Sequence, residues 1–292
     1  MRAYCKNCGG KQVERLLIVD GHNLLFQMFY GMPARITGAE GKPIQGTLGF
    51  VGALIKIIKM VEPTHMVVLF DSEHDNERSQ LLPEYKANRI DYSQIPEDET
   101  PFSQLEDVYR ALDYMGICHT EIMDGEVDDT VSAYAYAYRR HMEIVISSFD
   151  SDYFQLIDEN VSVLRYRGKH TQVCGKAYIR DKFGIEPHQY ADWKCLTGDS
   201  ADNIKGVSMV GPKTASGLLR QFGSLEQILA RTAEIQRPCI RASVEASLQQ
   251  LKRNQKLICL TGQSRIPFEP GLLCYRYNGV QTREVLRCIH LQ

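Results

Sequence analysis

Three short apolar runs, rich in β-branched residues, constrain the fold of this chain more than any other feature: residues 16–19, 66–70 and 144–146. Each run is nearly continuous rather than alternating, which is typical of strands in a parallel sheet that is covered on both faces. Helical periodicity lies between them, at residues 49–61 and 102–115. Strands that alternate with helices predict an α/β fold with a central, mainly parallel sheet.

Each apolar run leads to an aspartate: Asp20, Asp71, and Asp150 after a short link. In an open α/β sheet, ligand chemistry collects at the carboxyl ends of the strands. We therefore expect these three side chains to converge at one edge of the sheet.

Further acidic residues stand in short clusters, beside predicted strand ends or helix starts. The full set of nine candidate metal ligands is Asp20, Asp71, Glu126, Asp128, Asp129, Asp150, Asp152, Asp199 and Asp202. Taken singly, each cluster is explained as well by a helix cap or a solvated turn. Two like charges about 4 Å apart repel by roughly 4 kcal/mol at an effective dielectric constant of about 20. A converged set therefore predicts bound divalent cations, in a site that suits phosphodiester hydrolysis.

Composition and motifs narrow the class of protein. The net charge of -2 does not argue against a nucleic-acid partner, because local asymmetry is hidden in the sum. No apolar run is long enough to cross a bilayer and no secretory signal is visible, so we expect a cytoplasmic protein. The sequence contains no Walker-type phosphate loop, which argues against a nucleotide triphosphatase. Cys5 and Cys8 form half a zinc site, and an unliganded tail or an accidental pair explains them better than a metal knuckle.

The chain divides into four predicted parts. Residues 1–14 form a tail, 15–185 a catalytic domain, 186–270 a mostly helical region and 271–292 a C-terminal extension. Residues 83–101 lack periodicity and predict a long loop or arch, and loops of that length are more often functional than idle. The helical region is predicted from the segments 215–221, 225–230 and 242–256.

Five motifs in order resemble those of bacterial and phage 5′-nucleases, including the 5′-nuclease domain of bacterial DNA polymerase I. They lie at residues 17–23 (LIVDGHN), 85–89 (YKANR), 125–129 (GEVDD), 150–156 (DSD with QL) and 196–203 (LTGDSADN), within a resemblance that covers about residues 15–270. The resemblance implies a PIN-like α/β domain with a helical arch and a helix–three-turn–helix (helix-hairpin-helix) DNA-binding region. It further implies a stand-alone nuclease, since the chain is too short for polymerase domains.

The resemblance also implies roles for the acidic residues. Its first metal cluster corresponds to Asp20, Asp71, Glu126, Asp128 and Asp129, and its second to Asp150, Asp152, Asp199 and Asp202. Two or more Mg²⁺ or Mn²⁺ ions are expected, with Asp128 and Asp150 essential for catalysis. One departure is Gln27, at a position where many relatives have an arginine that contacts phosphate, so one phosphate contact is in doubt.

Basic and hairpin residues are the candidate DNA contacts. Given the resemblance, Lys86 and Arg89 are predicted to stabilise charge on the scissile phosphate, rather than to be merely exposed, and Tyr85 to stack on an unpaired base. Residues 206–215 resemble the hairpin of helix-hairpin-helix elements, whose glycines allow close approach to phosphate and whose carbonyls hold K⁺ in relatives. The predicted contacts there are Gly206, Ser208, Gly211, Lys213 and Thr214; a plain turn between helices is the alternative.

These observations predict a monomeric, structure-specific 5′-nuclease that acts in replication or repair on DNA with 5′ flaps, nicks or 5′ ends. Two alternatives stay open. The chain is a DNA-junction-binding protein without catalysis, or it is a PIN-type ribonuclease.

Overall fold

The computed structural model describes residues 13–32, 34–38, 41–72 and 77–291; Cys5 and Cys8 lie outside them. A six-stranded sheet is central, with strand order β3-β2-β1-β4-β5-β6. Its strands are β1 (Arg15–Asp20), β2 (His65–Asp71), β3 (Cys118–Ile122), β4 (Glu143–Ser147), β5 (Val161–Arg165) and β6 (Gln172–Cys174). All neighbours pair in parallel except β5 and β6, which are antiparallel. The α/β fold with a mainly parallel sheet is confirmed.

Strand β1 shows why the apolar runs are continuous. Leu16 and Ile18 point to one face of the sheet, while Leu17 and Val19 point to the other, and all four are fully buried. A central parallel strand covered on both faces has no solvent-facing side, so polar residues do not alternate along it.

Helices cover both faces. The first face carries α1 (Gly21–Gly31), α2 (Gln45–Val61), α4 (Leu105–Tyr114) and the C-terminal α12 (Thr282–Cys288). The second face carries α5 (Val127–Tyr138) and the helical region, while the short α3 (Glu77–Leu81) precedes the arch. Helix α6 (Lys176–Phe183) precedes the helical region, which contains α7 (Tyr190–Thr197), α8 (Pro212–Phe222), α9 (Leu225–Ala230), α10 (Pro238–Ala246) and α11 (Leu248–Ile258).

Some element boundaries differ from the sequence prediction. Helix α2 begins at Gln45, four residues earlier than predicted. The segment predicted as one helix at 242–256 is two helices, α10 and α11, which meet at Ser247. Within 83–101, the predicted arch, the regular structure consists of two short 3-10 helices, Tyr92–Gln94 and Glu97–Glu99, and the first residue of a third, Pro101–Gln104. None of the helices in the described residues is long and apolar enough to span a membrane.

A two-stranded hairpin, β7 (Gly198–Asp199) and β8 (Ile204–Lys205), links α7 to the region before α8. It depends on close backbone packing between Gly198 and Gly206. Gly198 has φ +82°, and a Cβ on Gly206 would lie 2.2 Å from the carbonyl carbon of Thr197. Because no side chain fits there, glycine at both positions lets the hairpin hold Asp199 against the end of α7.

Candidate active site

Carboxylates converge at the carboxyl edge of the sheet, as the sequence predicts. Asp20 and Asp71 are the last residues of β1 and β2, and Asp150 lies three residues beyond β4. Together with Asp128, in the first turn of α5, they line one cavity of about 830 Å³. Residues more than a hundred positions apart in sequence thus face the same space.

Hydrogen bonds from uncharged groups hold the two strand-end aspartates. Asp20 caps α1: its carboxylate accepts from the backbone N–H of Asn23 at 3.0 Å and from the Ser148 hydroxyl at 2.9 Å. Asp71 accepts from the backbone N–H of Val127 at 2.9 Å, which fixes the start of α5 against β2. The same side chains therefore orient the helices that carry the rest of the site.

A tyrosine that the sequence analysis did not single out holds Asp128. The hydroxyl of the fully buried Tyr153 donates to Asp128 Oδ1 at 2.5 Å. Burial raises the pKa of Tyr153, so the phenol keeps its proton and acts as a donor. His22, in the first turn of α1, also lines the cavity; it packs edge-on against Phe26, Phe70 and Phe102, and its Nδ1 accepts from the backbone N–H of Asp71 at 3.1 Å.

Glu126 and Asp129 are engaged by basic side chains. Arg78 pairs with Glu126 and, at 2.8 Å, with Asp129, while Lys86 Nζ lies 2.7 Å from Glu126. Although burial opposes it, Lys86 and Arg78 hold the pKa of Glu126 below its ordinary value. Glu126 lines the cavity, whereas Asp129 does not.

A second acidic group lies next to the first. Oxygen atoms of Asp152, Asp199 and Asp202 lie within 4.8 Å of one another. The buried ammonium group of Lys194, on α7, is inserted between Asp152 and Asp199. Asp150 joins the two groups: it lines the cavity with Asp20, and its Oδ1 accepts from the backbone N–H of Asp152 at 2.8 Å.

Three of the buried acids, Asp20, Asp128 and Asp152, have raised pKa values. Burial and then the charge of Asp71 raise the pKa of Asp20 to about 7. Burial and the neighbouring Asp150 raise the pKa of Asp128 well above its ordinary value. Burial also raises the pKa of Asp152 to about 7, although Lys194 opposes the shift. Crowded, buried carboxylates favour either a proton or a bound cation.

Basic residues of the arch contact both acidic groups. Arg89 pairs with Asp202 at 2.8 Å, and both Lys86 and Arg89 line the cavity. Three contacts tie the base of the arch to residues 199–203: Lys86 N–H to Asp202 O at 3.1 Å, Asn88 Nδ2 to Ser200 O at 2.8 Å and Asn203 Nδ2 to Glu84 O at 2.8 Å. The two basic side chains therefore lie beside the acids at the same cavity.

Tyr85 requires a correction. Its side chain is 7% exposed, and its hydroxyl donates toward Glu126 and Asp202 at 3.3 and 3.4 Å. A ring covered in this way offers no face for stacking on a base, because the hydroxyl is drawn inward by two carboxylates. Exposed aromatic surface is found instead at Tyr30, whose hydroxyl contacts that of Tyr92 at 3.0 Å.

The predicted hairpin contacts lie together beside α8. Ser208, Gly211 and Lys213 are exposed, Gly206 and Thr214 are half-buried, and Gly211 precedes the first turn of α8. Gln27, the departure from the family pattern, lines the cavity, and its Nε2 donates to the carbonyl of Tyr166 at 2.6 Å.

The residues present fit divalent metal ions. Within the described part of the chain, no lysine or arginine forms an ion pair with Asp20, Asp71, Asp128 or Asp150, whereas the other five candidate acids each have a basic partner. Hard carboxylate oxygens are the ligands that Mg²⁺ and Mn²⁺ prefer. The four carboxylates that line the cavity are therefore suited to bind a divalent cation.

The fold and site together define a PIN-like α/β domain followed by a SAM-like helical domain. Residues 15–184 match the family described as 5′-3′ exonuclease, N-terminal resolvase-like domain, and residues 185–279 match the 5′-3′ exonuclease, C-terminal SAM fold. The chain belongs to the 5′-3′ exonuclease family, whose members are metal-dependent nucleases.

Individual relatives and a solved structure support the same family assignment. A 5′-3′ exonuclease of Aquifex aeolicus is 32% identical over 80% of this chain and 78% of its own length. The thermostable DNA polymerase I of Thermus filiformis is 37% identical over 82% of this chain, which spans only 27% of that polymerase. Among solved structures, the phage T5 D15 protein co-crystallised with metal ions has a TM-score of 0.68 and 25% identity, covering 85% of this chain and 90% of the T5 chain.

Proposed function

We propose that this chain is a structure-specific 5′-nuclease that hydrolyses DNA phosphodiesters near 5′ flaps, nicks or 5′ ends, with Mg²⁺ or Mn²⁺. The observation that carries the proposal is the set of four cavity-facing carboxylates, Asp20, Asp71, Asp128 and Asp150, which form no ion pair with any lysine or arginine among the residues that the structure describes. Divalent cations held by these oxygens supply the Lewis-acid chemistry that phosphodiester hydrolysis needs.

The chain's own residues supply positioning and charge. Asp128 and Asp150 hold two sides of the cavity, and Lys86 and Arg89 stand over it, where they can pair with phosphate oxygens once DNA displaces their carboxylate partners. Exposed amides at the start of α8 and the charge of Lys213 suit a phosphate of the duplex. Such contacts position DNA without reading its sequence.

Cleavage of end-labelled substrates tests the proposal. We expect Mg²⁺-dependent cutting of 5′-flap and nicked DNA, abolished by EDTA and by Asp128→Asn or Asp150→Ala. Asp124→Asn is the matched control, because Asp124 is exposed just outside the acidic group and carries the same charge. Full activity of the Asp150→Ala protein would contradict the assigned role.

The same experiment separates the alternatives. Binding of flap DNA by the wild-type protein without cutting in any divalent metal would favour a DNA-junction-binding protein. Faster cutting of matched RNA substrates would favour a ribonuclease.

A further inference from the structure

Tyr153 does not line the cavity, but it is next to a residue of each acidic group: its hydroxyl contacts Asp128, and it directly follows Asp152 in the chain. It is the second residue of a 3-10 helix, Asp152–Leu156, and directly follows Asp152. Its side chain is fully buried, and its hydroxyl reaches Asp128 Oδ1, 25 residues earlier in the chain, at 2.5 Å. The tyrosine thus links the start of α5 to the segment that carries Asp150 and Asp152.

The hydroxyl group is the informative part of this side chain. The ring fills space in the core on the second face of the sheet, which a phenylalanine would fill equally well. A buried hydroxyl costs free energy unless it is hydrogen-bonded. The partner here is a carboxyl group that lines the cavity, and the two oxygen atoms lie 2.5 Å apart.

Tyr134 shows what an ordinary buried tyrosine does in the same protein. Its side chain is also fully buried in the core on that face. Its hydroxyl donates to the backbone carbonyl of Phe268 at 2.9 Å and accepts from the backbone N–H of the same residue at 3.2 Å. That hydroxyl anchors a loop, whereas the Tyr153 hydroxyl is directed at a candidate metal ligand.

We propose that Tyr153 is a positioning residue that fixes the carboxylate of Asp128 for cation binding; the proposal rests on the function proposed above. With Oδ1 held by the phenol, the carboxylate plane is fixed and Oδ2 is left for a cation. Groups that orient metal ligands from behind typically change metal affinity or activity by about 10–100-fold when they are removed. Because Tyr153 does not face the cavity, it acts through Asp128 and not on DNA.

Tyr153→Phe tests the inference, with Tyr134→Phe as the matched control. We expect Tyr153→Phe to weaken Mn²⁺ binding to the DNA-free protein, measured by electron paramagnetic resonance, by at least about tenfold. The Mg²⁺ concentration for half-maximal flap cleavage should rise in parallel, while KM for DNA at saturating Mg²⁺ stays unchanged. Tyr134→Phe should change neither quantity, although it also removes a buried hydroxyl.

Unchanged Mn²⁺ affinity in Tyr153→Phe, or an equal loss in both variants, would overturn the inference. Circular dichroism in EDTA establishes that each variant folds, and Tyr153→Met replaces Tyr153→Phe if the latter does not. Failure of the proposed function is distinguishable: a wild-type protein that binds Mn²⁺ but cuts no DNA refutes the nuclease, while the Mn²⁺ titrations still decide the role of Tyr153.

Discussion

When no cation is bound, the buried carboxylate of Asp20 destabilises the folded protein. Its pKa rises from 3.8 to about 7, mainly through burial and then through the charge of Asp71. An acid whose folded-state pKa lies above its unfolded value destabilises the folded state at higher pH. The shift corresponds to a penalty on the order of 4 kcal/mol, present in full above pH 7 and lost as the pH falls toward 4.

Asp20→Asn should therefore stabilise the metal-free protein at high pH. Asparagine can still accept the cap hydrogen bond from Asn23 but carries no charge. Urea denaturation in EDTA should show the variant more stable than wild type at about pH 8, with the difference shrinking by about pH 5. Mg²⁺ should raise the stability of the wild type but much less that of the variant. A gain in stability that is independent of pH would contradict this account, and Asp124→Asn serves as the exposed control.

Lys194 supplies a built-in positive charge to the second acidic group. Replacing it with methionine leaves the buried Asp152 and the half-buried Asp199 without their partner, so the metal-free protein should lose about 3–5 kcal/mol of stability. Saturating Mg²⁺ should restore part of that loss. Thermal denaturation with and without EDTA measures both effects.

The control for Lys194→Met is Lys176→Met, which breaks the exposed pair with Glu159. That pair should contribute no more than about 1 kcal/mol, because solvent screens it. Equal losses in the two variants would show that Lys194 does not neutralise buried charge.

The sequence predicted some of these residues and not others, for a physical reason. Asp20, Asp71 and Asp150 follow apolar strands, and parallel strands end at the same edge, so their convergence was predictable. Arg78 and Lys194 follow no such rule: a basic residue on a helix is usually exposed. The acid that each of these residues contacts is determined only when α3 and α7 pack against the rest of the protein. One weak indication of a buried ion pair existed for Lys194, because this charged residue stands among the buried residues of α7.

At the scale of elements, the buried central strands could be predicted from the sequence, whereas the edge strand β3 and the break between α10 and α11 could not. β1, β2 and β4 are covered on both faces and have continuous apolar runs. β3 lies at the edge of the sheet, has the mixed sequence CHTEI and is mostly half-buried, so no simple period marks it. The break between α10 and α11 at Ser247 was equally hidden, because no glycine or proline stands there.

The β7–β8 hairpin yields a prediction for an element that carries Asp199. Gly206→Ala should destabilise the protein by about 1–3 kcal/mol, since the new methyl group meets the backbone of Thr197. Gly217→Ala, in α8, meets no heavy atom within 4 Å and should instead stabilise by about 0.5–1 kcal/mol. Denaturant unfolding of both variants measures the contrast. A tolerated Gly206→Ala would mean that the hairpin is not held by this close packing.

For the whole molecule, the two regions matched by the family share one core. The cluster on the second face of the sheet runs without interruption from Leu16 and Ile18 of β1 to Val244 and Leu251 of the helical region. The chain then returns to the first region: the backbone N–H of Tyr275 donates to Thr64 O at 2.8 Å, and α12 packs against α2 and α4. A shared core and a returning C-terminal segment predict that the protein unfolds as one cooperative unit.

Leu286→Ala tests whether the whole protein unfolds cooperatively, because Leu286 and the helical region lie on opposite faces of the sheet. Leu286 is fully buried in α12, in the cluster on the first face, and its truncation should cost about 2–5 kcal/mol. Trp193, the only tryptophan, lies on α7, where it is half-buried and packs against the core on the opposite face, so its fluorescence reports on the helical region. If the molecule is one unit, far-ultraviolet circular dichroism and Trp193 fluorescence should shift to the same lower midpoint. A fluorescence midpoint that stays at the wild-type value while the dichroism midpoint falls would show that the helical region unfolds on its own, in spite of the shared core.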